Sequence, residues 1–177
     1  MFLDTEFIDT GRIIQPISIA LVAETGAEYY AVFADIDLHQ LARRAWLKVN
    51  VAPHLPVRSI ASGWTWDPHH HDFTAVKPRT AIAQDIVAFF TPLKKPQVWA
   101  YFSPFDTIVL TQLYGPLDEL PSVIPAFTHD LMQEAERTGI PTPRQKAGTH
   151  HALLDARHNL TVARTIGLLQ SRALSGR

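Results

Sequence analysis

Three groups of residues along the chain have the types and spacing to hold cations or move protons. The first is Asp4-Thr5-Glu6. In a strand, alternate side chains share a face, so Asp4 and Glu6 point the same way about two residue rises apart. Two carboxylates so placed repel and raise each other's pKa unless a cation sits between them. Oxygen ligands in a chain without cysteine suit a hard ion, Mg²⁺ or Mn²⁺. An isolated acid pair is commonly a solvent-facing strand end, but Phe2, Leu3, Phe7 and Ile8 flank this one as in a buried strand, where bare carboxylates are costly. The second group is Asp106 in Ser103-Pro104-Phe105-Asp106. Locally this reads as a capping box, with an acid in the first helical turn that suits the macrodipole. The third is His150-His151-Ala152-Leu153-Leu154-Asp155. Leu153, Ala156, Leu160 and Ala163 form a helical stripe that leaves Asp155 off the core face. The two adjacent histidines before it read equally as a helix start with titratable donors and nothing more, and a lone H-x4-D is common by chance. On a regular helix His151 lies about 40° from Asp155 and His150 about 140°, so spacing alone favours His151.

A further run, His69-His70-His71, invites a metal reading. Three consecutive histidines cannot all face one ion from a regular element, and the spaced pattern of zinc ligands is missing, so no zinc site is expected there.

These groups must be positioned by elements legible as periodicity. Phe2 to Phe7, Ile17 to Ala23 and Glu28 to Phe33 read as a three-stranded antiparallel meander, with Glu24-Thr25-Gly26 as a turn. Leu38, Leu41, Ala42, Ala45 and Trp46 repeat as one helix face, with Arg43, Arg44 and Lys48 off it. From Asn50 to Pro78 periodicity vanishes among prolines, Trp64, Trp66 and the histidines, so residues 50–78 are expected as an inserted loop or lid. A helix is expected from Arg79 to Phe90 with Ile82, Ile86, Phe89 and Phe90 on one face, and a buried strand from Gln97 to Tyr101. Ser103-Pro104 opens another helix. A helix over about Thr128 to Thr138 and a long one over about His151 to Gln170 end the chain. Strands first, then alternating helix and strand, argue for one α/β domain over residues 1–177 with a mixed sheet.

Composition narrows the function classes. The 177 residues are 46% hydrophobic, enough for a sizeable core and too apolar for a disordered tail. No apolar run approaches the about 20 residues that span a bilayer, so no membrane partner is expected. Met1-Phe2-Leu3-Asp4 lacks the basic and apolar segments of a secretion signal. The lack of cysteine excludes a thiol nucleophile and thiolate metal sites and points to a reducing, cytoplasmic setting.

In combination, and in order from residue 4 to residue 155, D-T-E, an Asp opening a helix after a mid-chain strand, and a late H-x4-D resemble the DEDDh family of 3′–5′ exonucleases. The strings D-T-E-F followed by D-T-G-R, E-Y-Y-A-V-F, W-A-Y-x3-F-D and H-x-A-L-x-D-A-R are similar to those of small actinobacterial exoribonucleases described as polyadenylate-specific. The resemblance implies a ribonuclease H-like fold and stepwise release of nucleoside 5′-monophosphates from 3′ ends of single-stranded RNA. It implies two Mg²⁺ ions, with Mn²⁺ as a substitute, and a homodimer. It makes Asp4, Glu6, Asp106 and Asp155 the metal-binding carboxylates and His150, not His151, the general base. It puts Thr5 and Phe7 beside the terminal nucleotide, where Phe7 either wedges against the last base or belongs to the core. Arg144 and Lys146, just before His150, are candidates for phosphate contacts, although a basic loop is commonly just solvated. Adenosine preference rests on resemblance alone. The rival readings are a proofreading-type DNA exonuclease, a binding module that has lost catalysis, and a zinc hydrolase built on the histidine run.

The formal charge of -1 gives no hint of nucleic acid, but it conceals an asymmetry. Residues 1–40 hold seven acids and one base, whereas residues 138–177 hold six bases and one acid. Cations in the acidic site would reverse the sign that RNA meets.

Overall fold

The computed structural model describes residues 1–169. Strand β1 (Phe2–Asp9) pairs antiparallel with β2 (Ile14–Val22), which pairs antiparallel with β3 (Glu28–Phe33). This is the expected meander, with β1 and β2 each extended toward their connecting turn. The β1–β2 register slips between Glu6 and Phe7, where Phe7 faces Pro16. A proline cannot donate to the ladder, so a bulge at that point accommodates it.

The helix expected over residues 38–46 is two short ones, α1 (Leu38–Arg43) and α2 (Ala45–Asn50). Arg44 between them is extended, with φ -85° and ψ 101°, which breaks the repeat. Leu41 and Leu47 reach the core, but Trp46 is turned outward and is 54% exposed. Residues 50–78 are not a structureless insertion. They contain the hairpin β4 (Val57–Ile60) and β5 (Gly63–Trp66), and end in β6 (Val76–Lys77), which pairs parallel with β3 in the main sheet.

Helix α3 (Arg79–Phe90) has the expected bounds and buries Ile82, Ile86 and Phe90. The strand expected from Gln97 is only β7 (Trp99–Ala100), parallel to β1. It is followed by α4 (Pro104–Thr111), β8 (His129–Asp130), α5 (Leu131–Thr138) and α6 (Ala152–Thr165). Asp130 caps α5 by accepting from the N–H groups of Met132 and Gln133, and Gly139 ends it in the left-handed region. The last helix, expected to run to about Gln170, ends earlier, at Thr165, with Ile166 as its C-cap; Gln170 itself lies outside the described residues.

The main sheet is thus mixed and six-stranded, in the order β6-β3-β2-β1-β7-β8. One face packs with Leu3, Ile17, Ile19 and Leu21 against Ile82, Ile86, Val109 and Leu110 from α3 and α4. The other buries Phe2, Ala20 and Val22 against Leu131, Ala135, Ala152, Ala156 and Ala163 from α5 and α6. The small residues of α6 let its backbone lie close to β1. Among the described residues no helix is long and apolar enough to cross a membrane.

Candidate active site

β1 and β7 run parallel at the centre of the sheet, so the helix after β7 begins at the end toward which β1 runs. In open α/β sheets that end is where ligands bind. Alternation along β1 gives Asp4 and Glu6 the face of Phe2, toward α6, and gives Thr5 the opposite face, toward α4. The Thr5 hydroxyl donates to Asp106 Oδ1 at 2.7 Å. Asp106 is only 5% exposed. The capping-box reading therefore fails: Ser103 makes no side-chain cap bond and is itself helical, because its N–H is held by Asp130 Oδ2 at 2.8 Å.

Asp155, in the first turn of α6, is held from two sides. The Gln145 side chain donates to Oδ1 at 2.5 Å, and the backbone N–H of His150 donates to Oδ2 at 2.7 Å. His150 is not part of the helix. It has φ +69°, a left-handed backbone uncommon outside glycine, immediately before the N-cap. This answers the helical-wheel objection, since the angle between His150 and Asp155 is set by a turn instead of by helical steps. His151 is the N-cap itself: its Nδ1 accepts from the Leu153 N–H at 3.3 Å, and its Nε2 faces Asp72 Oδ2 at 3.3 Å. Both of its nitrogens are engaged away from Asp155.

Glu6, His150 and Asp155 each place a ligand atom within 4.8 Å of the others. Among the described residues no Lys or Arg forms an ion pair with Asp4, Glu6, Asp106 or Asp155. The electrostatics follow from that. Burial, then Asp155 and Asp106, push Glu6 up to about 8. Burial and the same neighbours, with Glu6, raise Asp4 well above the carboxylate range. Burial raises Asp106 although Thr5 opposes it, and burial raises Asp155 against its hydrogen bonds from Gln145 and His150. Four uncompensated carboxylates are a donor set that fits hard divalent cations, which would replace the protons these pKa values retain.

They line a cavity of about 850 Å³ with His150, Thr5, Phe7, Trp46, Phe102, Phe105, Arg44, Arg144 and Gln145. Phe7 stacks on Phe105 with centroids 5.3 Å apart, and the Trp46 ring meets His150 edge-on at 4.7 Å. Thr5 has its hydroxyl committed to Asp106. Arg144 lines the cavity, but Lys146 is exposed outside that lining. Residue typing along the chain passed over Gln145, Arg44 and Trp46. The basic neighbours drew attention from Gln145, and a continuous helix would have put Trp46 in the core and Arg44 off its face. Gly148, with φ +74°, lets the loop turn toward His150; a Cβ there would collide with Leu154.

Fold and site together define an α/β protein with an acidic cleft suited to divalent cations. The chain belongs to the 3′–5′ exoribonuclease Rv2179c-like domain family, whose pattern it matches over residues 1–167. Two relatives from Mycobacterium tuberculosis are the 3′–5′ exoribonuclease MT2234.1 of strain CDC 1551 / Oshkosh and the 3′–5′ exoribonuclease Rv2179c of strain ATCC 25618 / H37Rv. Each is 35% identical over 168 residues, covering 93% of this chain and 91% of its own length.

Proposed function

We infer that the chain is a 3′–5′ exoribonuclease of DEDDh type with a ribonuclease H-like fold, degrading single-stranded RNA one nucleotide at a time. The observation that carries this is the convergence of four unpaired carboxylates from β1, α4 and α6 with His150 in one open cleft. Asp4, Glu6, Asp106 and Asp155 would hold two Mg²⁺, or Mn²⁺ in their place, and these supply Lewis-acid activation and charge neutralisation at the scissile phosphate.

The chain's own groups account for the rest. His150 takes a proton from the water that attacks phosphorus. The bond from phosphorus to the 3′ oxygen of the penultimate nucleotide breaks, that oxygen takes a proton from solvent and leaves as a hydroxyl, and the last nucleotide departs as its 5′-monophosphate. Gln145 and the His150 N–H hold Asp155, and Thr5 holds Asp106, so that neither carboxylate rotates when the strand slides. Trp46, Phe102 and Phe105 are exposed and offer stacking faces to unpaired bases, while Arg44 and Arg144 face the phosphates.

The test is a 5′-labelled oligoribonucleotide with Mg²⁺ or Mn²⁺, beside the matching oligodeoxynucleotide. A ladder shortening from the 3′ end of RNA is expected. No cleavage, cleavage that needs zinc, or equal cleavage of DNA overturns the reading.

A further inference from the structure

The histidine run does not behave as a regular element. Residues 68–72 form consecutive turns, which brings together side chains that a helix or strand would separate. His70, His71 and Asp72 each place a ligand atom within 4.8 Å of the others, while His69 faces solvent. Asp72 Oδ2 lies 3.2 Å from His71 Nε2 and 3.3 Å from His151 Nε2. The side chain of Asp72 is 20% exposed and that of His151 11%, so the centre of the cluster is sheltered and its rim, His71, is open. As expected, the three histidines do not all face one point, but the turns bring two of them, His70 and His71, together with Asp72.

We propose that His70, His71 and Asp72 form a second metal site that takes a borderline divalent ion of the Zn²⁺ type, with the His151 ring against Asp72 orienting its carboxylate. Imidazoles with one carboxylate suit Zn²⁺ or Co²⁺, whereas Mg²⁺ keeps to oxygen ligands. The His151 ring is itself fixed, with Nδ1 accepting from the Leu153 N–H and Nε2 facing Asp72 Oδ2, so it holds the Asp72 carboxylate in place beside His70 and His71. His70, His71 and Asp72 lie outside the lining of the acidic cavity, so this site is separate from the carboxylate one. Its role is a staple. It ties the turn at residues 68–72 to the residue that caps α6, one position from His150, across 79 residues of sequence.

Full-length protein freed of metal is titrated with Co²⁺ in excess Mg²⁺, and the visible absorption of the bound ion is followed. One equivalent is expected to give an intense tetrahedral-type band, and Zn²⁺ to displace it and raise the melting temperature. In Co²⁺ affinity and in the size of the Zn²⁺-induced melting shift, His69→Ala should match wild type, as should Glu6→Gln, which alters only the carboxylate site. His70→Ala/His71→Ala and the near-isosteric Asp72→Asn, each checked for fold by circular dichroism, should weaken binding at least tenfold and abolish the melting shift. A band that survives both variants, or one lost in Glu6→Gln, overturns the proposal.

Discussion

His150 holds a left-handed backbone conformation, uncommon outside glycine, which accords with its proposed role as general base. A β-carbon in the left-handed region costs about 1 kcal/mol or more. His150→Gly should therefore melt at or slightly above wild type while turnover falls roughly 10²- to 10⁴-fold, the range for a lost general base. His151→Ala should do the reverse. It forfeits a cap and the Asp72 contact, costing about 1 kcal/mol, and leaves turnover within a few-fold. Melting curves and single-turnover rates on both variants check the pair; a benign His150→Gly would move the base to another residue. The carboxylates carry a second prediction. Glu6 is raised from 4.5 to about 8, so the fold binds its proton more tightly than the unfolded chain does. That stabilisation is complete below pH 4.5 and is lost as pH rises through about 8. Metal-free protein should accordingly melt at lower temperature as pH climbs across that window, and Mg²⁺ should restore more stability at pH 8 than at pH 5. Glu6→Gln removes the charge and should flatten the metal-free profile, gaining roughly 1–3 kcal/mol at pH 8 at the expense of activity.

At the scale of elements, what was legible depended on repetition. The Arg79–Phe90 helix carries an unbroken apolar stripe, and its bounds follow from that. The meander likewise shows in three apolar runs separated by turn residues. Where the chain leaves regular geometry at a single residue, pattern reading fails: Arg44 splits one expected helix in two, and Ser103 is helical where a cap residue would be extended. The same holds for residues 68–72, whose turns no periodicity encodes. The candidate carboxylates were legible by type and order, but their mutual geometry comes from how α6 seats on β1. Buried Asn159 fixes that seating by donating from Nδ2 to the Leu3 carbonyl at 2.9 Å, one residue before Asp4 and four after Asp155. Asn159→Ala should cost about 1–3 kcal/mol by leaving that carbonyl unpaired. It should also lower turnover more than Arg157→Ala, whose bidentate pair with Glu28 is largely solvent-exposed and worth about 0–1 kcal/mol. Urea melts and rates measured together separate the two; equal effects on turnover would mean that Asn159 only stabilises.

For the whole molecule the question is how a chain of net charge -1 binds a polyanion. The acidic first forty residues supply Asp4 and Glu6 to the cleft, and the last forty, with six bases against one acid, supply Asp155 and Arg144 at the cleft wall. Without cations the cleft presents four carboxylates, partly protonated, to an approaching phosphate, and among the described residues of its lining Arg44 and Arg144 are the bases that offset them. The two divalent ions proposed for the cleft would add four positive charges at that spot and change the sign of the local field, where a low-dielectric wall makes it felt most. RNA affinity should therefore depend steeply on Mg²⁺. In the His150→Gly variant, expected to turn over slowly and keeping all four carboxylates, chelator should weaken binding of a short oligoribonucleotide at least tenfold. Adding back Mg²⁺ should restore it, whereas Na⁺ at equal ionic strength should not. Asp4→Asn/Asp155→Asn removes two of the repelling charges and should bind RNA better than wild type in chelator and respond less to Mg²⁺. Fluorescence anisotropy on the three proteins reads all of this directly. Affinity unchanged by chelator would mean that stacking on Trp46, Phe102 and Phe105, with the two arginines, holds the strand without help from the acidic centre.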